Sequence, residues 1–235
     1  RDSFWEARHL QGDHLEFVQR YWCEELEPIL TPIVVDPAHP FPSVINKALS
    51  IGSLLRINGR TLMGVVTVPR VLPRILRLPD RDGRQHFVTL AGVMDLQIRE
   101  LFRGCEVIAS SPFRVTRNSE LYLDEEEADN LLEEIAEQVK NQRQADAVRL
   151  EISTMASSDL VHRLQEQFEV DDSLTYQTDG PVNLHRLITL YDLVQRYDLK
   201  YRAFTPAVLD ISDDPELFFE SIRKKDILLH HPYES

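Results

Sequence analysis

At 235 residues, with 43% hydrophobic and 28% charged side chains, the chain has the length to bury a substantial core and a composition that speaks against disorder. No apolar run approaches the roughly 18 residues of a membrane span, and the first five residues lack the apolar core of a secretion signal, so a cytoplasmic protein without membrane association is expected. A net charge of -13 argues against the chain as a whole binding nucleic acid or another polyanion.

The charge is unevenly placed. Between positions 56 and 84 the ionised residues are Arg56, Arg60, Arg70, Arg74, Arg77, Arg81 and Arg84 against Asp80 and Asp82. Between 120 and 137 every charged side chain is acidic. A locally basic face on an acidic body is the expectation. Cys23 and Cys105 are far apart and have no Cys or His neighbours at metal spacing, so neither a disulfide framework nor a zinc site is suggested, and both are expected to be buried.

In chain order, apolar residues at Leu15, Phe17, Val18, Tyr21, Trp22 and Leu26 predict an amphipathic helix that Pro28 ends. Residues 28–42 carry five prolines and predict an extended connector outside any sheet or helix, with 33–35 pinned to the core. Strand patterns follow at 49–57, 65–71 and 86–90, with turn chemistry at Asn58-Gly59 and Asp82-Gly83, and three neighbouring antiparallel strands are the simplest arrangement. Helical spacing returns over 90–102, with Gly104 placed to cap it. Residues 106–109 and 113–116 read as two extended pieces, and 120–123 as a possible partner of the second. Asp124 opens a long helix with acids in its first turn, where the helix dipole favours them. A strand at 148–152, a helix over 157–168 capped by Ser157 or Ser158, a break at Gly180-Pro181, helices at 184–194 and 215–222 and a strand at 227–229 complete the chain. Strands and helices mix without strict alternation, which predicts an α+β fold: a mixed, mainly antiparallel sheet with packed helices, in a single domain with an N-terminal helix and a Pro-rich connector.

Six ordered segments carry a family resemblance. They are Thr31-Pro32 with Asp36-Pro37-Ala38-His39-Pro40-Phe41-Pro42; Val68-Pro69-Arg70-Val71-Leu72-Pro73-Arg74; Phe113-Arg114-Val115-Thr116-Arg117-Asn118; Asp179-Gly180-Pro181-Val182-Asn183-Leu184; Asp198-Leu199-Lys200; and the stretch from Asp226 to Ser235 with His230-His231-Pro232. Together they resemble the middle, or head, domain of the long (type 1) polyphosphate kinases. The resemblance implies an enzyme that reversibly transfers the ATP γ-phosphate to inorganic polyphosphate through a phosphohistidine, with magnesium. It also implies a division into an N-terminal helix and connector (1–45), a head domain (46–225) and the start of the first catalytic domain (226–235). The family's catalytic histidines and magnesium-linked arginines would then lie beyond Ser235 and its adenine-binding part before Arg1. On that comparison the chain supplies no catalytic residue, no metal ligand and no cofactor site, and is inactive by itself. ATP, ADP and polyphosphate are partners of the intact enzyme, and a homo-oligomer is expected.

The residues agree with this. No Gly-rich phosphate loop, GxSxG elbow or HExxH helix is present. The adjacent His230 and His231 are the tempting nucleophiles of an independent enzyme, but a structural role flanking a strand fits them better. Better candidates for phosphate contact are Arg114, Arg117 and Asn118, because guanidinium groups fork onto phosphate oxygens and an amide adds a donor. Alternation sends 114 and 117 to opposite faces of a strand, so a shared groove requires a turn or bulge near Thr116. Arg70, Arg74 and Lys200 are candidates for the same basic surface. The competing expectation is a purely structural or oligomerisation module that touches no phosphate.

Overall fold

The computed structural model describes residues 3–35, 41–42, 44–118, 146–203, 205, 214–226, 228 and 230–231. The chain divides into two compact units, Arg1–Leu193 and Val194–Ser235.

In the first unit, β1 (Ser3–Trp5) leads to helix α1 (Asp13–Tyr21), which continues into a π-helical turn at Trp22–Leu26. Val18, Trp22 and Leu26, four apart, form its buried stripe. Cys23 faces solvent beside Trp22, and Cys105 is half-buried after the Gly104 turn, so neither cysteine is fully buried as expected. The connector also departs from expectation: β2 (Ile33–Val35) joins a sheet as an edge strand against β4. Pro28 lies within a short 3-10 turn, Glu27–Ile29, where its missing amide is tolerated.

Strands β3 (Leu49–Ile57) and β4 (Arg60–Thr67) form a hairpin, as do β5 (Ile75–Arg81) and β6 (Arg84–Thr89). Each turns on a pair with positive φ: Asn58 and Gly59 at 49° and 76°, Asp82 and Gly83 at 53° and 68°. That is the backbone a two-residue hairpin needs, and the reason these sequences are readable as turns. The three expected neighbours do not share a sheet, however. β6 pairs with β5 and, in parallel, with β1, whereas β3 and β4 belong to a larger sheet that runs from β2 through β4 and β3 to β7 (Glu106–Arg117), β8 (Ala147–Ser153) and β9 (Thr175–Thr178). The larger sheet is antiparallel except where β9 (Thr175–Thr178) runs alongside β8 (Ala147–Ser153).

Strand β7 (Glu106–Arg117) is continuous through Pro112, where the sequence suggested two pieces. Pro112 stands opposite Ile51 of β3, and β8 pairs only from Phe113 onward, so the missing amide falls at the end of that second ladder. Residues 120–123, the helix expected from Asp124, Ile227 and Leu229 lie outside the described residues.

Two cores occupy the two faces of β3 and β4. Leu49, Ile51 and Leu55 join Val66, Val68, β5, β6, α1 and helix α2 (Leu90–Leu96) in the first. Leu54 joins Met63, Val65, Phe113, Val115, Leu150, Ile152 and helix α4 (Ser158–Phe168) in the second; α3 (Ile98–Leu101) follows α2 after a break at Gln97. The caps of α2 and α4 are side-chain oxygens, Thr89 accepting from the Gly92 amide at 3.1 Å and Ser157 from Leu160 at 3.4 Å. The α+β architecture with mainly antiparallel sheets agrees with the expected class. In the second unit, helix α6 (Pro215–Lys224) leaves Leu217, Phe218, Phe219 and Ile222 exposed; α5 (Leu190–Leu193) is the short last helix of the first unit.

Gly64 sets the distance between β4 and the first core: a Cβ there would lie 2.6 Å from Phe102 Cζ and 2.8 Å from Leu55 Cδ1. Gly64→Ala is therefore expected to lower the urea midpoint, destabilising the fold by about 1–3 kcal/mol through overpacking; an unchanged midpoint would show that Phe102 swings aside freely.

Candidate functional site

The bulge that a shared Arg114–Arg117 groove requires is present: the register of β7 against β8 shifts between Thr116 and Arg117. It does not bring the two guanidinium groups together. Arg114 leans onto β8, where its Nη1 donates to Glu151 Oε2 at 3.1 Å, and the same carboxylate takes Arg149 Nη2 at 3.2 Å. Arg114 and Glu151 are 20% and 12% exposed, so this is a largely desolvated pair. The acid comes from a neighbouring strand. Arg117 turns to the opposite face and lies over the Phe168 ring, 5.7 Å from its centroid, with its amide donating to Asn46 Oδ1 at 2.9 Å and Nε reaching the Val44 carbonyl at 3.4 Å. Burial pushes its guanidinium below the usual arginine range, opposed by Asp146. The Asn118 amide donates to the Asp146 carbonyl at 2.9 Å.

A different set of arginines converges. Arg74 lies in the turn before β5, its Nη2 donating to the Val68 carbonyl at 3.3 Å while Nη1 is buried with no hydrogen-bond partner among the described residues. Burial pushes Arg74 below its usual range, and the charges of Arg186 and Arg70 push it further. Arg70 donates to the Asn46 carbonyl at 3.2 Å. Among the described residues none of the three forms an ion pair with a carboxylate. Lys200 belongs to the second unit, with its Nζ 5.7 Å from the Tyr197 ring centroid.

Arg74 and Arg186 face a cavity of about 420 Å³. Its apolar walls include Phe4, Trp5, Ile75, Ala91, Leu96 and Pro112, and its polar residues include Arg8, Asp95, Asp179 and Asn183. Two of the segments that carry the resemblance thus meet here, Pro73-Arg74 and the 179–183 stretch, whose sharp course uses Gly180 at φ 129° and Asn183 at 68°. Asp95 accepts from Ser110 Oγ at 2.6 Å; burial raises its pKa, and the serine hydrogen bond opposes the rise. No sequence pattern marks Asp95, whereas the signal for Arg186 is its place two residues past the 179–184 motif.

Of the histidines, His14 and His86 are buried with ring centroids 4.9 Å apart. His14 Nε2 donates to the Pro79 carbonyl and Trp5 Nε1 donates to His86 Nδ1, both at 2.9 Å, a packing arrangement that sequence spacing did not indicate. His39 lies outside the described residues. Among the described residues no group of three or more His, Cys, Asp or Glu is placed to hold a metal, and no helix is long and apolar enough to cross a membrane.

The family model for the polyphosphate kinase middle domain matches residues 13–190. The chain belongs to the polyphosphate kinase family. It is 42% identical over 240 residues to the polyphosphate kinase of Burkholderia ambifaria (strain MC40-6), covering 99% of this chain and 35% of that protein. It is 40% identical over 240 residues to the polyphosphate kinase of Xylella fastidiosa (strain 9a5c), covering 98% and 33%. The chain thus spans about a third of the length of these relatives. The crystal structure of polyphosphate kinase from Porphyromonas gingivalis superposes with a TM-score of 0.69 at 19% identity, over 99% of this chain and 33% of that one, which supports the shared fold. The chain corresponds to the middle domain of such an enzyme.

Two outcomes are expected. Arg114→Ala strips Glu151 of a desolvated partner and should destabilise by about 1–3 kcal/mol in urea unfolding. Asp95, whose folded pKa is raised, holds its proton more tightly when folded, so its contribution to stability falls as pH rises through the unfolded and then the folded pKa. Asp95→Asn should therefore unfold at higher urea than the parent at pH 7, with the difference closing as the pH is lowered past the ordinary carboxylate range; a loss of stability at pH 7 would contradict this.

Proposed function

We propose that the chain is the non-catalytic middle domain of an enzyme that reversibly transfers the ATP γ-phosphate to inorganic polyphosphate, with ATP, magnesium and the phosphohistidine handled by other parts of that enzyme. Membership of the family and relatives named polyphosphate kinase support this reading. The observation that carries the domain's own part is Arg74 beside Arg186 at one cavity, with Arg70 near enough for its charge to act on Arg74, and no ion-pairing carboxylate on any of the three among the described residues. Such a cluster attracts phosphate oxygens and so lines a stretch of the polyphosphate path. In this reading residues 46–225 form the head domain, 1–45 its N-terminal helix and connector, and 226–235 lead into a catalytic domain; the intact enzyme is a cytoplasmic homo-oligomer to whose dimer contacts this domain contributes.

A second reading is a structural or oligomerisation module with no phosphate contact. It is favoured by the intramolecular partners of Arg114 and Arg117, which are Glu151 and the Phe168 ring. Polyphosphate titration at low and high salt separates the two. For the path, binding at low salt should weaken steeply as salt is added, and Arg70→Ala should shallow the slope of log affinity against log salt by about one. Absence of low-salt binding leaves the structural module. The chain mixed with ATP, magnesium and short polyphosphate should release no ADP; measurable ADP would overturn the non-catalytic assignment.

A further inference from the structure

We propose that the cavity bounded by Trp5, Ile75, Leu96, Arg74 and Arg186 binds a small amphiphilic anion: a ring-sized apolar body carrying a single phosphate or carboxylate group. The site shares Arg74 and Arg186 with the proposed polyphosphate path, but the proposal rests on the cavity and its apolar walls and stands without that path.

The volume, about 420 Å³, is that of a small-molecule site. Its walls supply two chemistries in one enclosure. Phe4, Trp5, Ala91, Leu96 and Pro112 offer apolar surface, whereas Arg74 and Arg186 offer adjacent positive charge. Like charges held close and without an ion-pairing carboxylate raise the free energy of the empty protein, and an anion shared by the two guanidinium groups relieves it. Arg74 keeps a donor in reserve, because Nη1 is buried without a partner among the described residues.

None of the three carboxylates at the cavity, Glu6, Asp95 and Asp179, forms an ion pair with Arg74 or Arg186. Glu6 takes Arg8 Nε at 2.7 Å, Asp95 is engaged by Ser110, and Asp179 forms no ion pair with either arginine. A polyanion fits poorly, since its repeated charges would be desolvated against Trp5 and Leu96 with nothing to pair them. A free inorganic anion leaves the apolar walls unused. An organic anion satisfies both halves: the ring displaces water from the walls, and the acid group takes forked hydrogen bonds from guanidinium.

Arg186 is exposed, so replacing it leaves the core intact. The test measures thermal unfolding and calorimetric binding of the chain with phenyl phosphate, adenosine monophosphate and inorganic phosphate at equal millimolar concentration. The parent should be stabilised by the two organophosphates and far less by inorganic phosphate, as expected when a ligand binds only the native state. Arg186→Ala should leave the ligand-free melting temperature unchanged or higher, because it removes a like-charge neighbour of Arg74, and should weaken organophosphate binding about tenfold or more. Arg56→Ala, at an exposed arginine outside the cavity lining and paired with Glu106, should leave the organophosphate response intact. No response to either organophosphate, an equal response to inorganic phosphate, or an equal response in Arg186→Ala would each overturn the proposal.

Discussion

Strand β3 is buried on both faces, and the rest of the first unit is arranged around that fact. Seven successive residues from Leu49 to Leu55 are buried. A strand covered on one face alone would alternate with solvent; here each face has its own core, so the chain must supply two sets of covering elements. The approach on either side is close: a Cβ on Gly52 would press on the Phe113 ring at 3.3 Å, beside Leu160 of α4, and one on Gly64 of β4 would collide with Phe102 at 2.6 Å. The neighbouring strand β7 serves both cores by a bulge. Its register against β3 slips between Leu54 and Leu55, leaving Ile108 unpaired, so Val107 packs with the first core and Ala109 with the second. Without that slip one of the two residues would face the wrong side.

This arrangement explains which elements were legible in the sequence. The hairpins at Asn58-Gly59 and Asp82-Gly83 declare themselves because positive φ at both positions selects a narrow set of residues. The helices capped by Thr89 and Ser157 were readable for a similar local reason, as was the Val18–Trp22–Leu26 stripe. The failures are non-local. β5 ends in Pro79, Asp80 and Arg81, which break off the apolar alternation of a strand after Leu78, although the Asp82-Gly83 turn demanded a strand on each side. β1 and β9 are three and four residues long and exist through parallel pairing to β6 and β8, which no window of sequence contains. Pro112 looked like a boundary because proline breaks a ladder; it is accommodated because one of its two neighbours has not yet begun.

The basic residues were harder to interpret than the strands. The excess of arginine over 56–84 was visible, and Arg70 and Arg74 remain close to one another in the fold. What the sequence could not say is which arginines already have partners. Arg114 meets Glu151 because antiparallel β7 and β8 set them opposite one another, a register fixed by the whole sheet. Arg117 reaches Phe168 because it falls on the same face of β7 as Phe113 and Val115, which pack in the core that holds that ring. Arg186 comes beside Arg74 only when the 179–183 turn folds back over the first core, which joins positions more than a hundred residues apart.

In a chain of net charge -13 the lining of this cavity brings Arg8, Arg74 and Arg186 together with Glu6, Asp95 and Asp179, three charges of each sign. At physiological ionic strength charges separated by more than about 8 Å are largely screened across solvent, so distant acids do little to the potential inside a partly desolvated pocket. The nearby groups decide: Glu6 is paired with Arg8, whereas Asp95 and Asp179 line the same cavity without an ion pair to Arg74 or Arg186. The acidic surface then acts mainly at longer range, opposing non-specific accumulation of anions as salt falls. Net charge and local recognition are thus separate quantities in this protein: the first describes what the surface repels, the second what the half-buried Arg74 and its exposed neighbour Arg186 require.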